Sequence, residues 1–258
     1  MRELERDSTL DVPACTRLAV VGRGRLGTAI ATALRNAGYD VTGPLGRGAQ
    51  AHGTQAVLLC VPDAEIAAAA AALAAGALVG HCSGASGLDV LAPHEAFSLH
   101  PLMTVSVHGA RFAGAGAAVA GSTPRALALS AAIARALGMH AVAVTDRDRV
   151  AYHAAASLAS NFLITLEGAA ERLAASAGVE RQLLVPLVRA TVDNWARLGA
   201  QRALTGPVAR GDDATVAAQR AAIAQRAADL LPMFDAMVGA TRTLAHGAGS
   251  AVAEGASA

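Results

Sequence analysis

Residues 17–38 read Arg17-Leu-Ala-Val-Val-Gly22-Arg23-Gly24-Arg25-Leu26-Gly27-Thr-Ala-Ile-Ala-Thr-Ala-Leu-Arg-Asn-Ala-Gly38. A short apolar run of buried-strand type over 18–21 leads into Gly22, Gly24 and Gly27. An amphipathic, alanine-rich helix pattern comes next over 25–37 and stops at Gly38. Strand, G-x-G-x-x-G and helix in that order form the dinucleotide-binding fingerprint. The first glycine permits the tight turn, the second lets backbone approach a pyrophosphate, and the third lets helix pack on strand. The diphosphate then rests on N–H groups at a helix N-terminus, where the macrodipole favours negative charge. Gly22, Arg23, Gly24, Arg25, Leu26 and Gly27 are therefore the first candidate cofactor-binding residues. In a chain with 26 glycines the motif alone is weak, and its flanks give it weight.

Beyond this stretch, a second strand is expected over 40–42. Residues 56–61 form a continuous apolar run ahead of Pro62 and Asp63, the pattern of a central parallel strand. Val61 and Pro62, at its end, join the cofactor candidates. Helix 64–75, strand 77–81, a Ser/Gly turn and strands near 97–99 and 117–120 come after it. Helix 124–137 and strand 140–144 complete an alternating β/α pattern. Between the second strand and residue 56, Gly43, Pro44, Gly46, Gly48 and Gly53 stand where a full Rossmann half would place a helix and a strand. About a dozen residues cross a sheet in extended form, so the third strand and its helix are expected to be missing. The fold class is α/β: a truncated Rossmann-like doubly wound, mostly parallel sheet followed by an all-α C-terminal domain. Long helical runs over 146–177, 179–198, 212–228 and 230–245 make up that second domain. The predicted division is a flexible lead at 1–16, a dinucleotide-binding domain at 17–145, a helical substrate and dimerisation domain at 146–245, and a disordered tail at 246–258.

Composition narrows the function classes. A net charge of +1 gives no electrostatic case for nucleic acid or an anionic membrane. The uncharged run 66–88 is long enough to span a bilayer, but it is mostly Ala and Gly around His81 and reads as helix, turn and strand. The polar, charged start offers no secretory signal. Cys15, Cys60 and Cys82 make no disulfide framework and suit a reduced cytoplasm. All 21 basic residues are arginine, which excludes a lysine acid or Schiff base. Hydrophobic residues reach 53% with aromatics at only 3%, which predicts helices packed through small side chains.

The acidic residue that would hold the ribose hydroxyls of NAD at the end of the second strand is absent. Thr42, Gly43 and Pro44 stand there, with Arg47 just beyond. Arginine beside a ribose 2′-phosphate favours NADP(H) over NAD(H); a solvated loop residue is the other reading of Arg47. In the second domain His153, Ser157 and Asn161 recur at four-residue steps, on one helical stripe. Ala154, Leu158, Phe162 and Leu166 form another stripe, expected to be buried. Histidine can give a proton at neutral pH, and Ser and Asn can orient a carbonyl oxygen. Ser83 in His81-Cys82-Ser83-Gly84 and His100 in Leu99-His100-Pro101-Leu102 lie at strand ends, as substrate contacts or loop stabilisers. His81, Cys82, His94 and His100 lack compact ligand spacing, so no metal site is expected. Late in the chain, Asp212 or Asp213 suits a helix N-cap. Arg210, on a glycine-flanked turn, either presents a fork to a carboxylate or braces its own loop.

Val61-Pro62-Asp63, His81-Cys82-Ser83-Gly84, Leu99-His100-Pro101-Leu102, Tyr152-His153-Ala154-Ala155, Ser160-Asn161 and Gly206-Pro-Val-Ala-Arg-Gly-Asp212 together carry a resemblance. The chain resembles, over 18–245, the bacterial Rossmann-like family whose C-terminal part is domain of unknown function 2520. That family sits among the 6-phosphogluconate dehydrogenase-like two-domain reductases, and some relatives look like an alternative ketopantoate reductase. The resemblance implies an NADPH-dependent oxidoreductase acting on a small 2-oxo acid and forming a homodimer through its helical domain. Better-known members use a lysine one turn before an asparagine on this helix; here Ser157 precedes Asn161, so the acid would move to His153. Ser157 and Asn161 would then hold the substrate oxygen, Ser83 and His100 would lie near the nicotinamide, and Arg210 would pair with the carboxylate. Two other readings are a reductase of imine or β-hydroxyacid dehydrogenase type, and a non-catalytic nucleotide sensor or scaffold on a decayed Rossmann domain.

Overall fold

In the computed structural model, residues 17–254 are described, apart from 107 and 108. The expected flexible lead at 1–16 lies outside the described residues, as do 255–258. The strands are β1 (Arg17–Val21), β2 (Asp40–Leu45), β3 (Ala56–Leu59), β4 (Leu78–His81), β5 (Ala96–Leu102), β6 (Gly116–Gly121) and β7 (His140–Ala143). Helices α1 (Arg25–Asn36), α2 (Ile66–Ala71) and α3 (Pro124–Ala136) alternate with them. All seven strands join one sheet in the order β2-β1-β3-β4-β5-β6-β7, with only the β5–β6 pair antiparallel.

β2 is the edge, and the chain passes from it directly to β3 on the far side of β1. Among the described residues no further strand lies beyond β2, so the truncation expected from the glycine-rich segment is present. β2 continues past Thr42 through Gly43 and Pro44 to Leu45. An edge strand tolerates that proline because its missing N–H faces no ladder partner. The helix expected over 64–75 is shorter, a 3-10 turn Asp63–Glu65 followed by α2.

Both faces of the sheet are covered, which explains its unbroken apolar runs. Leu18, Val20, Leu58, Phe97, Leu99 and Val119 face Ile30 and Leu34 of α1 and Leu129 and Ile133 of α3. The alternate residues Ala19, Val21, Val57, Leu59 and Val79 join Ile66 and Leu91 in a second core.

The single long helix expected from residue 146 is broken. α4 (Asp146–Ser157) leads into a π-helical segment, Leu158–Phe162, and then α5 (Leu163–Ala175). The chain divides into compact units at Met1–Asn161 and Phe162–Ala258, not at 145/146. α4 goes with the sheet because Arg149, Tyr152 and His153 on it reach the strand ends. The stripe expected to be buried is not: Ala154 is exposed, and Leu158, Phe162 and Leu166 are 64%, 58% and 36% exposed.

The second unit holds α5, α6 (Arg181–Leu198), α7 (Ala200–Ala203), α8 (Asp213–Arg226) and α9 (Leu231–Glu254). α9 continues through Glu254, where a disordered tail was expected from 246, because its alanines sustain helix across the intervening glycines. Asp212 is the N-cap of α8, its Oδ1 accepting from Thr215 N at 3.1 Å. Arg220 forks onto Asp235 with two bonds of 2.8 Å, tying α8 to α9. Neither α5 nor α6 contains a buried residue.

Candidate functional site

Two concavities lie at the C-terminal ends of the strands in the first unit, where open α/β sheets bind ligands. The first is a cleft of about 690 Å³ around the glycine turn; Gly22, Arg23, Gly24, Arg47, Val61 and Pro62 all line it. Arg25 lines a neighbouring depression with Thr28. Leu26 packs on the core, and Gly27 is buried beneath the turn.

The three glycines meet different surroundings. Gly22 has φ +121°, and a Cβ there would lie 2.2 Å from Cys60 O. A Cβ on Gly27 would lie 2.0 Å from Gly22 O. On Gly24, the N-cap of α1, it would meet nothing within 4 Å. Two of these glycines thus serve close packing, and the third keeps a space open over helix amides that no side chain caps. No acidic residue occupies the first turn of α1. This is the cradle a pyrophosphate requires, so the residues present fit a dinucleotide. Arg47 reaches across the cleft to Glu65 at 2.6 Å, with its side chain 84% exposed. A surface pair of this kind is worth at most ~1 kcal/mol, leaving the guanidinium easily recruited by a phosphate.

The second concavity, about 480 Å³, is lined by His100, Met103, Tyr152, His153, Ser157 and Asn161 among others. It brings together all three residues of the predicted polar stripe with His100 of β5. The π-helical segment falls between Ser157 and Asn161, yet both line the same hollow. His100 Nδ1 lies 2.9 Å from Tyr152 Oη, and its ring stands edge-on to His153. Burial, then the neighbouring His153 and Arg149 charges, lower the His100 pKa to about 4, while burial raises the Tyr152 phenol to about 12.

Beneath this pocket Arg149 is fully buried. Its Nη2 donates to Ser98 Oγ at 2.7 Å, its Nη1 to Ser83 O at 3.4 Å, and its Nε to Asp146 Oδ1 at 3.3 Å. Ser83 itself is buried and does not line the pocket. Its hydroxyl donates to Asp63 Oδ2 at 2.7 Å and accepts from Ser86 N at 2.9 Å, which makes it a brace of the turn. His81 is buried with Nε2 3.0 Å from Gly87 O and Nδ1 accepting from Ser83 N; burial first of all lowers its pKa. Arg210 stands exposed on the turn before α8, in the second unit. Among the described residues no group of three or more His, Cys, Asp or Glu could hold a metal, and no helix is long and apolar enough to cross a membrane.

Three residues of this site are not evident from motifs. A Cβ on Gly84 would lie 2.6 Å from His153 Cδ2 and 2.9 Å from His100 Nε2, so the two rings sit over a glycine because only a glycine leaves room. Tyr152 belongs to the Tyr152-His153-Ala154-Ala155 motif, which by itself gives the phenol no role. Arg149 precedes His153 by one turn, a spacing that is legible, but an arginine in a first helical turn ordinarily reads as solvated. Cys60 and Cys82, far apart in sequence, end adjacent strands with their Sγ atoms 3.6 Å apart. Their mutual hydrogen bond and burial push the Cys82 thiol well above its ordinary range.

Residues 115–241 match the family described as domain of unknown function 2520. Among curated proteins no sequence match was found. Solved structures are similar over most of the chain. A candidate NADP oxidoreductase from Bacteroides fragilis is 18% identical, covering 89% of this chain and 99% of its own, at a TM-score of 0.77. A protein from Thermotoga maritima is 25% identical, covering 89% and 98%, at 0.72. A reductive aminase from Aspergillus terreus, solved with NADPH and ethyl levulinate, is 18% identical, covering 89% and 94%, at 0.67. The match to the domain of unknown function 2520 runs from the start of β6 into α9, so it takes in the last two strands of the Rossmann-like sheet as well as the helices after them.

Proposed function

We propose that this chain is an NADP(H)-dependent oxidoreductase that reduces a small carbonyl compound, with a 2-oxo acid of the ketopantoate type as its specific substrate. The observation that carries the reading is the open cradle at Gly24, flanked by Arg23 and Arg47, with no acidic residue at the C-terminal end of β2 to take a free ribose hydroxyl and with the cleft's Glu65 already paired to Arg47. The solved NADP and NADPH proteins of the same fold support it.

Gly22, Gly24 and the first amides of α1 would hold the diphosphate, and Arg47 and Arg23 the 2′-phosphate. Bound nicotinamide supplies a hydride to the carbonyl carbon. As the C=O electron pair moves to oxygen, His153 in its imidazolium form gives that oxygen a proton and is left neutral. Ser157 and Asn161, beside it in the pocket, hold the oxygen in place. Arg210 is the proposed partner of the carboxylate.

A reductase of a neutral ketone or imine is the second reading. It is favoured by the lining of the first unit's pocket, which has histidines but no arginine. A second copy of this chain is proposed to cover α5 and α6. Ile164, Leu183, Leu187 and Trp195 are 58–71% exposed there, on helices with no core within their own chain. The cytoplasm is the proposed compartment.

Fluorescence titration with NADPH and NADH tests the cofactor assignment. Micromolar NADPH binding with discrimination against NADH, weakened in Arg47→Ala, is expected, followed by turnover in a 2-oxo acid and imine screen. Absence of binding by either nucleotide would favour a scaffold role.

A further inference from the structure

We propose that His100 is the fixed hydrogen-bond donor to the substrate's carbonyl oxygen or imine nitrogen, through Nε2–H, and that Tyr152 is the positioning residue that sets this tautomer. This rests on the reading of the pocket as the substrate site. Neither Tyr152 nor Arg149 beneath it has a role in the hydride and proton steps above, yet both are built into the wall around His100.

Tyr152 Oη and His100 Nδ1 are 2.9 Å apart, and one of these atoms must supply the proton between them. An imidazole nitrogen is a far better acceptor than a phenol oxygen, and a phenol O–H is the better donor. The bond therefore runs from Tyr152 O–H to Nδ1. A neutral ring that accepts at Nδ1 carries its hydrogen on Nε2, since the hydrogen bond made by one ring nitrogen decides the state of the other. Nε2 lies at the Gly84 turn beside His153, on a ring that lines the pocket.

The surroundings keep this ring neutral. From α4 it faces His153, Tyr152 and the fully buried Arg149 guanidinium; from β4 it faces His81; from the turn after β3 it faces Asp63. Asp63 is the only carboxylate among them, and it is engaged by the Ser83 hydroxyl. Burial and the cationic neighbours outweigh it. A neutral imidazole donates a hydrogen bond to developing negative charge and keeps its proton. The two histidines, with centroids 5.9 Å apart, thus divide the work: His100 polarises and His153 protonates.

The test uses the full chain labelled with ¹⁵N-histidine, without cofactor or substrate. The His100 signal is assigned from its absence in His100→Gln. Wild type should show a protonated Nε2 and an unprotonated Nδ1 from pH 8 to 5. Tyr152→Phe should mix the two tautomers and leave the His81 signals in place. Once a turnover substrate is in hand, Tyr152→Phe should lower kcat about tenfold at nearly constant KM, and His100→Leu about a hundredfold or more. His100→Gln, which retains an N–H donor, should recover part of that loss. A wild-type His100 protonated on Nδ1, an imidazolium at pH 7, or unchanged tautomers in Tyr152→Phe would each overturn the inference. NADPH titration reports separately on the functional reading. Loss of the tautomer with intact NADPH binding defeats this inference alone, whereas no NADPH binding in wild type defeats the underlying assignment.

Discussion

His100 and His153 meet edge to face, with their planes at 79°, above Gly84, where one added carbon would lie 2.6 Å from His153 Cδ2. The site is therefore assembled from three distant parts of the chain: the turn after β4, the end of β5 and the middle of α4. Gly84→Ala should force the rings apart at a cost of about 1–3 kcal/mol. Thermal melting should report that loss, and kcat should fall with it. An unchanged melting curve and unchanged turnover would mean that the rings have slack the geometry does not suggest.

The fingerprint glycines should separate stability from binding. Gly24→Val places its Cβ in open space, so the melting temperature should fall only slightly, by the loss of a glycine N-cap, while NADPH affinity is lost. Gly22→Ala places a Cβ against backbone at a positive φ, so it should destabilise the fold by about 2 kcal/mol or more. Retained NADPH affinity in Gly24→Val would remove the cradle from the binding site.

His153→Ala should lower turnover at least about a hundredfold while leaving NADPH affinity intact. Steady-state kinetics and the fluorescence titration, run on the same preparation, check both halves. Unchanged turnover would pass the proton-donor role to another group.

Acid should unfold the sheet domain through His100. Its folded pKa of about 4 lies below the ordinary 6.5, so the native state binds fewer protons than the unfolded chain. The stability this protects is complete above about pH 6.5, declines as pH falls, and is gone below about 4. The difference corresponds to about 3 kcal/mol. His81, also lowered, acts in the same direction. Urea denaturation at pH 7.5 and 4.5 should show the loss in wild type and a smaller loss in His100→Gln. Parallel losses in the two proteins would exclude His100 as the source.

A double variant, Leu187→Glu and Trp195→Glu, should convert a dimer to a monomer in light scattering. Both residues are more than half exposed on α6, so the fold of the single chain should survive. A wild-type monomer, or a variant that still dimerises, would leave the α5 and α6 surface to some other partner.

The nucleotide cleft is legible in the sequence because its rules are local. A turn that needs glycine at Gly22, a helix packed at Gly27 and a strand buried on both faces leave their marks within a few neighbouring residues. The missing third strand is legible for the same reason: Gly43 and Pro44 at the end of β2 and the glycines at 46, 48 and 53 after it do not sustain another helix. The four-residue spacing of His153, Ser157 and Asn161 likewise anticipates that they share a pocket.

Other features depend on residues distant in sequence. The stripe through Leu158 and Phe162 has the period of a buried face, but period says only that a face exists, not that this chain covers it. The break at the π-helical segment and the grouping of α4 with the sheet go with contacts to Ser98 and His100, some fifty positions away. Short-range propensity and periodicity were enough to specify the βα fingerprint, the truncated parallel sheet and the helical character of the C-terminal domain from the order of residues alone. The burial of Arg149, the meeting of Tyr152 with His100 and the room that Gly84 makes for two rings emerged only once the chain was folded, because those are properties of approach in space.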